Sequence, residues 1–284
     1  MLDFVYYPVS AVLLLWHKVF GFAFGPDNGI TWALAVVFLV FTIRLVLLKP
    51  MIRQIRTQRV LAKLQPEIKA LQKKYAGDRN RQAVELQKLQ KEHGFSPLLG
   101  CLPILVQMPV FLGLLHVLQS FNRTGTGFGK LGMSPELNAH TANYLFSAAD
   151  VQSFLHARLF GAPISAAITS PANLLDAFSQ FGGVPTTLSI AAVAIPLMLA
   201  ASLFTHLNAR ASMARQNAET LANPQTALMN KLALWVFPIG ALIGGPFLMI
   251  AVLIYWVSNN LWTYVQQHLV FERLDAEESV RRIE

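Results

Sequence analysis

The chain alternates between long apolar segments and polar, charged connections. Five segments are apolar almost throughout, and we predict membrane-spanning helices at 30–49, 97–121, 186–206, 231–243 and 246–270. A helix rises about 1.5 Å per residue, so about 20 apolar residues cross the hydrocarbon core of a bilayer. The apolar runs are continuous rather than alternating, which favours helices over the strands of a membrane barrel. The pattern therefore predicts an all-α integral membrane protein.

One residue interrupts this pattern. Arg44 is the only permanent charge well inside any of the predicted spans. An ionisable side chain at membrane depth is costly and usually faces a bundle interior or a water-filled cavity, so it indicates a functional site. Arg44 also lies only five residues before Lys49, and its long side chain could instead extend to the lipid headgroups as an anchor. Position alone does not separate these two interpretations.

Composition supports the membrane assignment, since 54% of the 284 residues are hydrophobic and only 13% are charged. Cys101 is the only cysteine, which excludes a disulfide framework and a cysteine metal cluster. The predicted spans contain no Ser-His-Asp or paired-carboxylate arrangement. We therefore expect no metal, no cofactor and no enzymatic activity.

The distribution of charge predicts the topology. The segment 49–93 holds twelve Lys and Arg against four acidic residues, a net charge of +8. The connection 122–185 has three basic and three acidic residues, and 207–230 has two arginines against one glutamate. Because positively charged loops stay in the cytoplasm, the first and third of these segments are predicted inside and 122–185 outside. The tail, 271–284, is then cytoplasmic and the N-terminal segment is external.

The first 29 residues call for a separate interpretation. Their apolar stretch is short and is interrupted by His17 and Lys18, while Tyr6, Tyr7 and Trp16 belong to the residue types that favour the membrane interface. We predict that 1–29 forms an amphipathic helix on the outer face of the membrane. A sixth membrane span is the alternative.

The segment 50–96 is rich in Lys, Arg, Gln, Glu and Leu. In its first half apolar residues recur every three or four positions, which predicts one apolar helix face formed by Leu61, Leu64, Ile68, Leu71 and Tyr75. Asp78 follows a break in this pattern and is suited to cap a second helix. We therefore predict a cytoplasmic helical hairpin whose first arm is kinked or restarted after Pro66.

Nine basic residues of this hairpin are candidates for binding a partner: Arg53, Arg56, Arg59, Lys63, Lys69, Lys73, Lys74, Arg79 and Arg81. Such a surface could attract anionic lipid, ribosomal RNA or an acidic protein. A solvated face that only fixes topology is the alternative for any one of them. Tyr75 is the only Phe, Tyr or Trp in 51–93, so stacking platforms for bases are missing. We expect no DNA partner.

Further polar residues lie within the predicted spans. Gln107 lies between Pro103 and Pro109, whose missing N–H groups leave backbone carbonyls free for a hydrated groove. The fifth span has a polar, aromatic centre and the third span has a polar inner end, which together comprise Tyr255, Trp256, Asn259, Asn260, Thr205 and Asn208. For Gln107 and Asn260, a hydrogen bond that only joins two helices is an equal alternative to substrate contact.

Taken together, these features resemble the YidC family of membrane protein insertases, with its mitochondrial oxidase-assembly and chloroplast Albino relatives. The resemblance covers almost the whole chain. It rests on FTIRLVLLKP around Arg44, on LQPEIKALQKKY and DRNRQAVELQKLQ in the hairpin, on NPQTALMNK before the fourth span and on IYWVSNNLWTYVQQHLVF in the fifth. The most specific string is GCLPILVQMPVF in the second span.

The resemblance implies a five-transmembrane-helix insertase core with an outer amphipathic helix and a cytoplasmic helical hairpin, in the bacterial plasma membrane. It also implies a hydrophilic groove that contains Arg44, is faced by Trp256, and opens to the cytoplasm and to lipid. A nascent membrane protein would pass its polar tail through this groove while its apolar segment enters the bilayer. The implied activity is insertion and chaperoning, alone or with the Sec translocon.

The end of the chain departs from the family pattern. Many members end in a basic tail that can contact the ribosome, whereas 272–284 holds three basic and five acidic residues. We therefore expect no strong tether through this tail, and the ribosome stays a candidate partner only. A second interpretation is a small-solute or ion transporter with Arg44 as an anion site. The lack of an internal repeat and of two matched broken helices counts against it.

Overall fold

The computed structural model describes residues 2–93, 98–124 and 132–281 and shows an all-α membrane protein. Its α-helices are α1 (Asp3–Phe24), α2 (Gly29–Val46), α3 (Leu48–Lys74), α4 (Arg79–Glu92), α5 (Leu98–Gln119), α6 (Pro135–Ala139), α7 (Ala148–His156), α8 (Ala172–Asp176), α9 (Thr187–Met213), α10 (Ala218–Leu221), α11 (Pro224–Lys231), α12 (Phe237–Gly244) and α13 (Ile250–Arg281). The other elements are 3₁₀ turns at Ala177–Gln180 and Gly245–Phe247, a π-helical turn at Leu232–Val236, and two antiparallel strands, β1 (Arg158–Leu159) and β2 (Ala162–Pro163).

Among the residues that the structure describes, four stretches are long and apolar enough to cross a membrane, namely α1, α2, α9 and the run Pro224–Phe247. The first two predicted spans correspond to α2 and α5, and α9 extends beyond the C-terminal end of the third, to Met213. The predicted fifth span, 246–270, begins only at Ile250, because a 3₁₀ turn follows α12. From there α13 continues far beyond the apolar residues, through most of the predicted tail.

The fourth predicted span, 231–243, lies within a longer helix. Helical backbone runs without a break from α11 through the π turn to the end of α12, a length of about 31 Å. The run begins where the Asn223 side chain accepts hydrogen bonds from the N–H groups of Gln225 and Thr226, at 2.9 and 3.4 Å. Polar residues form its first turns, so hydropathy alone places the start of this helix too late.

The predicted helical hairpin is present as α3 and α4. The Asp78 carboxylate caps α4 by accepting a hydrogen bond from the Arg81 N–H at 3.0 Å. α3 continues through Pro66, so the expected restart of the helix after that residue does not occur. Within the predicted apolar stripe Leu64 is buried, whereas the side chain of Leu61 lies outside the described part of the chain.

Aromatic side chains from the long loop between α5 and α9 pack around Trp32 of α2. The ring centroid of Trp32 lies 5.5 Å from that of Phe121, 5.8 Å from Phe146 and 4.9 Å from Phe154. The Trp32 Nε1 also donates a hydrogen bond to the Ser153 hydroxyl at 3.0 Å. The described part of this loop is therefore a packed cap on one end of the helices.

α1 lies against α2 and α5, beneath the same cap. Near its start, Tyr6 stacks on His116 of α5 with ring centroids 4.2 Å apart and contacts Tyr144 of the loop at 5.6 Å. Farther along, the Lys18 Nζ lies 2.6 Å from the Asp150 carboxylate of α7. Both halves of α1 therefore contact the end of the protein that carries the long loop.

Candidate functional site

Arg44 is buried, with 8% of its surface exposed, in the last turn of α2. Its Nε and Nη2 donate hydrogen bonds to the Asn259 Oδ1 at 3.1 and 2.7 Å, and its Nη2 also donates to the Thr263 hydroxyl at 3.1 Å. Across the described residues no carboxylate forms an ion pair with this guanidinium. Arg44 is thus a buried cation held by neutral groups of α13, which favours the site interpretation over a headgroup anchor.

Tyr255, Asn259 and Thr263 follow each other at intervals of four and lie on one face of α13, which we call the polar stripe. The Gln107 side-chain nitrogen, on α5, donates a hydrogen bond to the buried Tyr255 hydroxyl. That contact lies one helical turn, about 5–6 Å, from the Arg44 contact. Two helices, α2 and α5, therefore direct polar side chains to a single stripe on a third.

A second polar contact joins α9 to the adjacent face of α13. The Asn208 side-chain nitrogen donates a hydrogen bond to the Asn260 carbonyl oxygen at 3.0 Å. Four nearby side-chain atoms are buried without a hydrogen-bond partner among the described residues: the Asn208 Oδ1, the Asn260 Nδ2, the Gln266 Nε2 and the Gln267 Oε1. Buried polar atoms nearly always have partners, so four such atoms near one helix indicate a place for water or for a polar ligand.

A cavity of 490 Å³ opens between α3, α9 and α13, and we call it the mouth cavity. It reaches the polar stripe at Thr263, which is also a partner of Arg44. Its polar lining consists largely of amide side chains, with two arginines: Gln54, Gln65, Gln216, Gln266, Gln267, Arg59 and Arg215. A polar path lined by amides and two arginines thus leads from the hairpin side of the protein to Thr263, a partner of the buried guanidinium.

The structure brings together most, but not all, of the residues predicted for a groove. The Thr205 hydroxyl is bonded within its own helix, to the Ala201 carbonyl at 2.7 Å. Trp256 is half-buried and packs against the main apolar core. Thr263 and Gln266 were missed by the sequence interpretation. The spacing of four from Asn259 to Thr263 was the signal that could have identified the former.

Two of the nine hairpin cations, Arg56 and Arg59, form ion pairs with the end of α13. The Arg56 Nη2 lies 3.0 Å from the Glu277 carboxylate, and the Arg59 Nη2 lies 2.5 Å from the Asp275 carboxylate. Both acidic residues belong to the last turns of α13. Phe271, one turn earlier, lies between Arg59 and Arg215, whose guanidinium carbons are 5.0 and 4.1 Å from its ring centroid.

The other hairpin cations are spread along both arms. Arg53, Lys73, Arg79 and Arg81 are exposed and form no ion pair within the described residues. The Lys74 Nζ lies 5.4 Å from the ring centroid of the neighbouring Tyr75. Lys63 and Lys69 lie on the same arm, α3. No single cavity gathers all nine, so the structure presents a dispersed basic surface.

Among the described residues, no group of three His, Cys, Asp or Glu side chains is placed to hold a metal ion.

Comparison with known protein families gives a match over most of the chain. Residues 23–277 match the family described as 60Kd inner membrane protein.

Several proteins named membrane protein insertase YidC are similar to the whole chain. The one from Mycobacterium tuberculosis (strain ATCC 25618 / H37Rv) is 56% identical over 100% of this chain and 76% of its own length. The one from Mycolicibacterium paratuberculosis is 55% identical over 100% of this chain and 79% of its own length. A more distant one, from Streptomyces avermitilis, is 34% identical over 95% of this chain and 58% of its own length.

Proposed function

This chain belongs to the 60Kd inner membrane protein family, and we propose that it inserts nascent membrane proteins into the bacterial plasma membrane. The name of its relatives, the multi-pass helical architecture and the buried cation all support this function. The resemblance read from the sequence is confirmed at the level of the family. The names of the relatives do not support the solute-transporter alternative.

The buried Arg44 is the observation that carries the proposed mechanism. Its Nε and both N–H groups of Nη2 are directed to Asn259 and Thr263, while Nη1 donates no hydrogen bond within the described residues. Nη1 is therefore the part of the guanidinium that remains for a carboxylate of the client. A charge-assisted pair at that nitrogen lowers the cost of carrying an acidic tail into a low dielectric.

The amide groups around the mouth cavity provide the path to that cation. Gln54, Gln216 and Gln266 offer donors and acceptors without fixed charge, so they can hydrate a passing polar tail without binding it tightly. The unpartnered atoms of Asn208 and Asn260 extend this hydration along α13. A hydrated path shortens the hydrocarbon barrier, and burial of the client's apolar segment in lipid drives the transfer. No nucleotide, metal or bond chemistry takes part, so we propose a non-enzymatic insertase.

We propose that the long loop and α1 lie outside and that the hairpin and the end of α13 are cytoplasmic. The net charge of +8 in 49–93 supports this orientation. The contacts of α1 support its place at the outer interface, because Tyr6 and Lys18, about three turns apart, both contact the loop side. A membrane-crossing helix would carry these two residues to different depths.

The dispersed basic surface of the hairpin is proposed to contact an acidic partner, with the Sec translocon and the ribosome as candidates. Arg79 and Arg81, at the start of α4, are exposed and form no ion pair within the described part of the chain. They are better placed for a partner than Arg56 and Arg59, which are held by the end of α13.

Insertion into liposomes tests the function and the role of Arg44 together. The client is a short single-span protein in two forms, one with an acidic external tail and one with the acids replaced by amides. Protease protection of the tail is measured for the native chain, Arg44→Ala, Arg44→Lys and the exposed control Arg210→Ala. We expect Arg44→Ala to lower insertion of the acidic client about tenfold, with Lys partly active and the amide client little affected.

Each other result has a distinct meaning. Equal loss with both clients would make Arg44 a structural residue, and unchanged insertion with both would make it an anchor. No insertion by folded native protein would overturn the insertase function itself.

Cysteine labelling tests the orientation. In a Cys101→Ala background, Phe4→Cys reports on α1, while Val184→Cys and Lys91→Cys are the outer and cytoplasmic references. All three native side chains are exposed. An impermeant maleimide added to intact cells is expected to label positions 4 and 184 only. Labelling of position 184 without position 4 would indicate that α1 crosses the membrane.

A further inference from the structure

A second cavity, of 550 Å³, lies between α3 and α13 on a different face of α3 from the mouth cavity. We call it the rim cavity. Its α3 lining comes from Leu48, Lys49, Ile52, Arg53 and Arg56, whereas the mouth cavity uses other positions of the same helix. The two cavities share Gln266 of α13 but occupy different positions of α3, so the rim cavity lies beside the proposed path of the client.

The rim cavity is apolar at its membrane end. Leu45, the last turn of α2, and Trp262, Val265 and Leu269 of α13 form its walls there. Leu45, Val265 and Leu269 are 58%, 47% and 62% exposed, so these walls face outward and are not closed by the protein. Leu45 follows Arg44 in α2, and Val265 and Leu269 lie in the last turns of the predicted fifth span, 246–270, so these exposed apolar walls match the inner boundary of the hydrocarbon region in the proposed topology.

The other end of the rim cavity is basic. Lys49, Arg53 and Arg56 are spaced by four and three residues, which places them on one face of α3, and Arg273 faces them from α13. The Glu277 carboxylate is shared by Arg56 and Arg273, at 3.0 and 3.3 Å. Lys49 and Arg53 form no ion pair within the described residues. Four cations thus face one carboxylate at the level where α2 leaves the membrane.

An apolar wall next to a surplus of cations suits a molecule that has a hydrocarbon chain at one end and a negative charge at the other. We propose that the rim cavity binds an anionic phospholipid, with an acyl chain against Leu45, Val265 and Leu269 and the phosphate at Lys49 and Arg53. Charge complementarity selects this occupant over a zwitterionic lipid, because two cations without partners offer an anionic headgroup attraction that a neutral one lacks. The proposed topology enters this proposal only because it determines which leaflet of the membrane supplies the lipid.

Fluorescence quenching of Trp262 tests this site in detergent solution, where neither topology nor insertion matters. The full chain is titrated with phosphatidylglycerol or phosphatidylcholine that carries the same dibrominated acyl chains. The share of quenching due to Trp262 is obtained by comparison with Trp262→Phe. A second reporter, Leu269→Trp, adds an indole on the exposed wall and keeps the test valid if Trp262→Phe does not fold.

We expect phosphatidylglycerol to quench these reporters at about one-tenth of the mole fraction required for phosphatidylcholine. Lys49→Gln/Arg53→Gln should bring the two lipids to the same mole fraction. The matched control, Lys73→Gln/Lys74→Gln, removes the same charge at the far end of α3 and should keep the preference. Circular dichroism confirms that each variant is folded.

Several results would overturn the proposal. A preference that survives Lys49→Gln/Arg53→Gln, or that is lost equally in the control, would show general attraction to a basic protein. Displacement of the brominated lipid by millimolar glycerol phosphate would assign the cations to a soluble phosphate. Displacement by an equimolar acidic single-span peptide would assign the rim cavity to the client.

Discussion

The Arg44 guanidinium contacts the Asn259 side-chain oxygen through two nitrogens, at 3.1 Å from Nε and 2.7 Å from Nη2. An amide oxygen orients the cation but does not neutralise it. A carboxylate in the same position would form a bidentate ion pair and would leave little of the charge for a client. In the proposed mechanism, this neutral partner leaves the charge of Arg44 available to a client.

The substitution Asn259→Asp should stabilise the fold and at the same time weaken insertion. We expect the new carboxylate to raise the free energy of unfolding by about 1–3 kcal/mol, because it pairs with a buried cation. Insertion of an acidic client should fall about tenfold, since the client then competes with a resident anion. Thermal unfolding and liposome insertion are the two measurements.

The control for that substitution is Asn260→Asp, which places a carboxylate one residue further on, on the face of α13 that contacts Asn208. It should lower stability and leave the preference for acidic clients intact. Equal insertion by Asn259→Asp and the native chain would show that the charge of Arg44 does not act on the client.

The Gln107–Tyr255 hydrogen bond is expected to join α5 to α13 rather than to contact the client. Gln107→Leu leaves the buried Tyr255 hydroxyl without its donor, and Tyr255→Phe leaves the amide without its acceptor. Each single change should cost about 0.5–2 kcal/mol of stability, and the double variant less than the sum. A double-mutant cycle on thermal unfolding measures the coupling. Additive costs, or a loss of insertion in Tyr255→Phe without a loss of stability, would place this pair in the client path.

The sequence predicted those features that follow from one-dimensional patterns. The apolar runs identified α2 and α5, and the spacing of apolar residues with the cap at Asp78 identified the hairpin. The cost of burying Arg44 predicted the site that we propose. The partners of Arg44 could not be assigned in the same way. Arg44 and Asn259 are 215 residues apart in the sequence, and their contact depends on how high α2 and α13 lie relative to each other.

The same limit explains why the engagement of Arg56 and Arg59 was missed. The acidic character of 272–284 was evident, but its continuation as α13 alongside α3 was not. An apolar contact of Ile55 with Val270 and Leu274 fixes that arrangement. These three residues lie in polar stretches of the sequence, and so small an apolar cluster cannot be recognised there from hydropathy.

The Lys18–Asp150 pair should make the cap on the outer end sensitive to acid. Burial of the Asp150 carboxyl acts to raise its pKa, but the Lys18 ammonium and the hydroxyl and N–H of Ser147 outweigh burial, and the pKa is lowered. A carboxyl whose folded pKa lies below its unfolded pKa stabilises the fold above the unfolded value. That contribution is lost as the pH falls through the lowered pKa.

Asp150→Asn should therefore cost about 1 kcal/mol at pH 7, and the difference from the native chain should shrink below about pH 4. Thermal unfolding from pH 3 to pH 7 measures it, with the exposed Asp176→Asn as the control. A difference that is independent of pH would assign the cost to the hydrogen bonds with Ser147 instead of the charge.

Gly113 of α5 should determine how closely α1 approaches the helices. A Cβ at this position would meet the Val5 Cγ1 at 2.6 Å, so any side chain here must push α1 outward. We expect Gly113→Val to destabilise the protein by about 1–3 kcal/mol and to expose α1 to protease from the outer side. Val5→Ala in the same chain should restore much of the stability, because it removes the atom that collides.

Gly240→Val is the control within another helix, since nothing lies within 4 Å of a Cβ there. If Gly113→Val and Gly240→Val lower stability equally, the low helix propensity of valine, and not the packing of α1 against α5, explains the loss of stability.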